Sequence, residues 1–148
     1  MSETIFKLDI PRGWEDQTVY HFRGPSDGET AHQVTLVLNR QLQHLDVADF
    51  AKEWIDPIKS TLQGVDVLKD EAITLDRGNQ AHEFVYRWTP SGGVQAIHKY
   101  VFVIKDGIGF TFSGEFSKKT LKTVGVGMMK LIEALVPGTY EIAEVDDA

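Results

Sequence analysis

The chain has 148 residues and no cysteine. That length suits one domain with a substantial core, and the missing thiols exclude disulfides, thiolate nucleophiles and thiolate metal sites. With 22 acidic against 15 basic residues the formal net charge is −7, and no basic patch exceeds the cluster Lys118, Lys119 and Lys122, so nucleic acid is not an expected partner.

The residues Ile5–Ile10 read as a short strand closed by Pro11 and Gly13. Gln17–Arg23 and His32–Arg40 flank Gly24-Pro25-Ser26-Asp27-Gly28, whose turn chemistry predicts a hairpin. A helix is predicted from Asp46 to Gln63: Asp46 is the N-cap, and Val47, Phe50, Ala51, Trp54, Ile58 and Leu62 recur at helical spacing. Gly64 stops it, and Pro57 predicts a kink or break near Asp56. Strands follow at Val65–Leu75 and Gln80–Trp88, joined by Asp76-Arg77-Gly78-Asn79. A turn at Pro90-Ser91-Gly92-Gly93 leads to Ile97–Ile104 and Ile108–Ser113, which flank the hairpin signal Asp106-Gly107. A second helix is predicted over Ser117–Leu135, with Ser117 as N-cap and a stripe of Leu121, Val124, Met128, Leu131, Ile132 and Leu135. Residues 141–148 form an acidic tail on the single domain 1–148.

This order of elements predicts an α+β fold: a roughly six-stranded, mostly antiparallel sheet with two main amphipathic helices. The stretch Lys99-Tyr100-Val101-Phe102-Val103-Ile104 is apolar on both faces of its strand, so both faces need a cover. Six strands at about 4.8 Å span roughly 25 Å, whereas a helix is about 10–12 Å across. Whether the helices share one face or take one each, an apolar stretch of sheet is expected to stay open for a ligand, a partner or a second copy. The open face is expected to carry Val37, Val85, Val101 and Val103, with Tyr20 and Phe22 beside them and Gln33 and Thr35 to hydrogen-bond polar atoms of the guest. Val34, Leu36, Leu38 and the two helix stripes are expected in the core. Trp14, Trp54 and Trp88 are expected at the core or its edge, Trp88 being the most exposed.

Nothing in the chain nominates catalysis. The histidines His21, His32, His44, His82 and His98 lack the spacing of a helical metal motif. Gly125-Val126-Gly127 falls inside a helix and follows no strand, so it reads as close packing of helix on sheet rather than a phosphate loop. Asp9, Asp16, Glu83 and Glu115 have no pairing that fixes an acid–base geometry. The chain is therefore expected to be a non-enzyme with no metal site and no cofactor. No run approaches the ~20 apolar residues of a membrane span, and the first residues lack the basic-then-apolar pattern of a signal peptide, which makes a cytoplasmic location the expectation.

Several short motifs carry a family resemblance. Ile10-Pro11-x-Gly13-Trp14, Leu36-Val37-Leu38-Asn39-Arg40, Leu75-Asp76-x-Gly78-x-Gln80-Ala81-x-Glu83-Phe84, Phe110-Thr111-Phe112-Ser113-Gly114 and the C-terminal amphipathic helix together resemble the DcrB-like branch of the PsbP-like proteins. Many of those are exported or lipidated; this chain has neither a visible signal peptide nor a lipobox cysteine. In that respect it is similar to the Eag subgroup, the effector-associated chaperones of bacterial type VI secretion. The resemblance implies a cytoplasmic homodimer that binds N-terminal transmembrane segments of a toxin effector and shields them before loading on the secretion spike. The alternatives are a small-ligand or lipid-binding domain and a regulatory protein-binding module of PsbP-like fold.

Overall fold

The structure, a computed structural model, describes residues 9, 11–14, 18–24, 32–39, 46–89, 93–105 and 107–135. In chain order these form β1 (Val19–Arg23), β2 (Gln33–Asn39), α1 (Val47–Thr61), β3 (Asp66–Thr74), β4 (Gln80–Trp88), β5 (Ala96–Lys105), β6 (Ile108–Phe116), a single 3₁₀ turn (Thr120–Lys122) and α2 (Val124–Glu133). The strands make one sheet in the order β1-β2-β6-β5-β4-β3, antiparallel at every pairing. The expected strand at 5–10 (Asp9 apart), the turn at 90–92 and the acidic tail 141–148 lie outside the described residues.

The local chemistry explains most of the boundaries. Asp46 caps α1, its Oδ1 accepting the Asp49 N–H at 2.8 Å, and Gly64 follows the helix at φ +75°, where a side chain would be strained. Pro57 does not break α1. Its missing N–H would have bonded the Glu53 carbonyl, and both residues are exposed, on the side of the helix where a freed carbonyl is least costly. β5 and β6 join through a two-residue loop, Lys105 pairing with Ile108, with Gly107 at φ +76° as a tight hairpin turn needs.

The second helix is shorter than its sequence pattern. Ser117 and Thr120 exchange backbone-to-hydroxyl hydrogen bonds at 2.9 and 3.0 Å, closing a separate turn, and α2 begins only at Val124. The expected packing role of Gly125 and Gly127 is also revised. A Cβ at Gly125 would approach Leu121 of the preceding turn at 3.3 Å, and one at Gly127 would meet nothing within 4 Å. The close approach of helix and sheet is at Gly114 on β6, where a Cβ would sit 2.9 Å from Met128 Sδ.

The two helices take one face each. On the first face α1 packs Phe50, Ala51 and Ile55 over Phe84, Tyr86 and Phe102 of β4 and β5, with Trp54, Trp88, Tyr100 and Ile104 alongside. On the second face α2 packs Met128 and Ile132 over Leu36, Leu38, Phe112, Val101 and Val103 of β2, β6 and β5. Both apolar faces of β5 are thereby covered, by different helices. No described helix is long and apolar enough to cross a membrane.

Candidate functional site

Because α1 sits over β4–β5 and α2 over β2–β6, each face keeps one half that no described helix covers. The pairing register fixes the content of those halves. On the α1 face, Val37 lies opposite Thr111 and Thr35 opposite Ser113; Ser113 in turn faces Tyr100, and Glu115 faces His98. From β1, Val19 and His21 join the same face opposite Val37 and Thr35. The helix-free half of this face is therefore mostly neutral and hydrogen-bonding.

A groove of about 320 Å³ lies there. Thr35, Ser113 and Gly114 form its floor, His98 and Tyr100 one wall, and Gln33 and Glu115 one end. The wall is rigid: the His98 ring stacks on Tyr86 at 4.9 Å between centroids and 6° between planes, and Tyr100 stacks on Phe102. Thr35 is held from the other side by His21, whose Nδ1 lies 3.3 Å from the hydroxyl. Burial pushes the His98 imidazole below its usual pKa against the opposing pull of Glu115, so the ring is neutral at pH 7. Burial raises the phenols of Tyr86 and Tyr100, which hydrogen-bond each other. At neutral pH Glu115 is the one formal charge in the lining.

The helix-free half of the α2 face differs in kind. Glu83, 5% exposed, accepts Lys99 Nζ at 3.0 Å and Lys69 Nζ at 3.3 Å, and Arg87 pairs with Asp66 beside it. Burial pushes Glu83 up, but the hydrogen bond and charge of Lys99, with Lys69, outweigh it and hold the carboxyl below its usual range. An apolar guest there would have to displace or desolvate this network, at a cost of several kcal/mol per ion. The α1-face groove is thus the half suited to a largely apolar guest.

The structure divides the predicted guest-binding residues between faces. Gln33, Thr35 and Val37 share the α1 face with the groove, Gln33 and Thr35 lining it. Tyr20 and Phe22 pair with Leu36 and Val34 and so lie on the α2 face, each 38% exposed at the sheet edge. Val101 and Val103 were expected on the open face; both are 0% exposed, sealed beneath α2. Val85, opposite Lys99, is likewise buried, beside the charged network. The reason is register. Leu36 aligns with Phe112 and Phe112 with Val101, so Val101 belongs with the Leu36 core and Val37 on the reverse side. The tryptophan order is also corrected: Trp88 is half-buried under α1, while Trp14 is 71% exposed.

Tyr100, His98, Ser113 and Glu115 were not anticipated in the site. Their signal was the alternation Phe110-Thr111-Phe112-Ser113-Gly114-Glu115-Phe116, which puts every polar residue of β6 on one face.

The DcrB family model matches residues 6–114 of this fold. The chain belongs to the DcrB family. Among solved structures it is similar to PA94 of Pseudomonas aeruginosa, a protein of unknown function, at 20% identity and a TM-score of 0.72, covering 88% of this chain and 90% of that one. It is also similar to the cyanobacterial PsbP (CyanoP) of Synechocystis sp. PCC 6803, at 11% identity and TM-score 0.51 over 87% and 96% of the two chains. LpqN of Mycobacterium tuberculosis, involved in cell envelope biogenesis, aligns at 12% identity and TM-score 0.51 over 77% and 79%. These likenesses establish a PsbP-like fold for this DcrB-family chain. No curated protein matches it by sequence.

Proposed function

We propose that this DcrB-family chain is a cytoplasmic chaperone and adaptor, acting as a homodimer, that shields hydrophobic N-terminal transmembrane segments of a type VI secretion toxin effector before loading on the spike. The observation that carries this reading is the helix-free half of the α1 face. Three strands and the near side of β5 at about 4.8 Å spacing offer roughly 15 Å of width, which suits one helix of about 10–12 Å diameter. A transmembrane helix in water exposes apolar surface all round, along with any polar side chain it carries. Val19, Val37 and Tyr100 supply apolar contact, and Thr35, Ser113 and Gln33 can give or accept hydrogen bonds without adding charge. The family resemblance of the sequence motifs supports the same guest.

Co-expression with the apolar N-terminal region of a genetically adjacent effector tests the proposal. A soluble complex that co-purifies is the expected result; an effector region that is soluble alone and fails to co-purify refutes it. The groove's volume also lies within the range of small-molecule sites. A co-purifying small ligand in native mass spectrometry, displaced by Thr35→Arg, would favour the alternative of a ligand-binding domain.

A further inference from the structure

The α1-face groove has a direction. Along β2 and β6 its lining passes from Thr35 and Ser113, beside Tyr100, to Gln33 and Glu115, and half-buried Val37 lies one step beyond Thr35 on the same face. Each step of two residues advances about 6.8 Å, so this face changes from apolar at Val37 to charged at Glu115 over roughly 14 Å. Glu115 is exposed and makes no ion pair or hydrogen bond among the described residues. Directly across from it stands the His98 ring, stacked on Tyr86. Arg23 lies on the same face at the sheet edge, paired with Gln33 rather than with β6, and outside the groove lining.

We infer that the groove selects and orients its guest by a basic residue flanking the apolar segment, which docks at the Glu115–His98 end while the apolar body extends toward Val37. The inference rests on the chaperone reading and assigns the guest's polarity within that site. Lysine and arginine are characteristic flanks of membrane segments, so the complement is one such segments carry. A cation at this end would meet an unpaired carboxylate, with the His98 ring beside it. Because burial keeps His98 neutral at pH 7, the ring does not oppose it. Glu115, its carboxylate partly in water, lets the flank bind without a full desolvation penalty.

Fluorescence anisotropy with two synthetic peptides tests this. Both carry the same 20-residue Leu/Ala helix; one ends in two lysines and the other in two glutamates. The wild-type protein should bind the lysine-ended peptide about fivefold tighter at low salt, the size of one partly exposed ion pair. The ratio should fall to about one in Glu115→Gln and invert in Glu115→Lys, by the same arithmetic. Equal binding of both peptides by wild type, or a preference unchanged in Glu115→Gln, overturns the inference and leaves the chaperone reading standing. Binding of neither peptide overturns both.

Discussion

The charged network on the α2 face separates the two helix-free halves, and replacing Lys99 by methionine tests whether it is as buried as its geometry implies. The substitution keeps the aliphatic stem and removes the cation 3.0 Å from Glu83 Oε2. Glu83, 5% exposed, is then left with Lys69, whose side chain is 54% exposed. Breaking a buried pair costs about 3–5 kcal/mol; the remaining lysine reduces this to about 2–3 kcal/mol. For a domain of this length that is a fall in Tm of about 5–10 °C. Urea unfolding at pH 7 measures the free energy directly.

The pH dependence gives a second reading. In the wild type, Glu83 is held below its usual value of 4.5, so its contribution is fully present above that pH and is lost as pH falls through the lowered folded value. In Lys99→Met, burial dominates and raises the folded value. The folded variant then loses stability as pH rises through the carboxylate range, because the carboxyl must ionise unpaired. The gap between the proteins should therefore be widest at pH 7 and close toward about pH 4. Replacing both partners, as Glu83→Leu with Lys99→Met, should recover most of the loss. A single variant within about 0.5 kcal/mol of wild type at pH 7, the effect of an exposed pair, would refute the reasoning.

Three further outcomes follow from the packing. Val101→Asp puts an unpaired charge at a fully buried position under α2 and should abolish cooperative folding by circular dichroism, whereas Val37→Asp, on the groove's face, should stay folded and lose guest binding in co-purification. Gly114→Ala drives a methyl to 2.9 Å from Met128 Sδ and 3.0 Å from the Phe116 ring; it should cost about 1–3 kcal/mol in thermal melts, part of it recovered by Met128→Ala. Asp46→Ala removes the acceptor of the Asp49 N–H and should cost about 1 kcal/mol, read as a Tm lower by about 2–4 °C.

What the sequence disclosed was local. The hairpin of β1 and β2, the Asp46 cap, the α1 stripe and the β5–β6 turn all follow from residues close together in the chain, and the structure contains each of them. The covering problem posed by Lys99–Ile104 was real as well: Tyr100 and Phe102 need α1, and Val101 and Val103 need α2. Which helix covers which face depends on the order β1-β2-β6-β5-β4-β3, a long-range property that alternation within one strand does not encode. The same gap put Val37 and Val101 together in the expected site although they lie on opposite faces, since a one-residue change of register exchanges a strand's faces. The open surface also differs in chemistry from the apolar stretch that counting covers suggested. One uncovered half is mostly neutral and hydrogen-bonding with Glu115 at its end, the other ion-paired, because Ser113 and Glu115 of β6 and the charged positions of β3, β4 and β5 each gather where no described helix lies.

The most direct test of the guest's location is site-specific photo-crosslinking in the co-expressed complex, with a photoreactive residue placed in turn at Thr35, Ser113 and Lys69. Crosslinks from positions 35 and 113 to the effector's apolar N-terminal segment, with none from 69, are the expected pattern. Crosslinks concentrated at 69, or absent from both groove positions in a complex that still co-purifies, would contradict the assignment of the α1-face groove as the guest site.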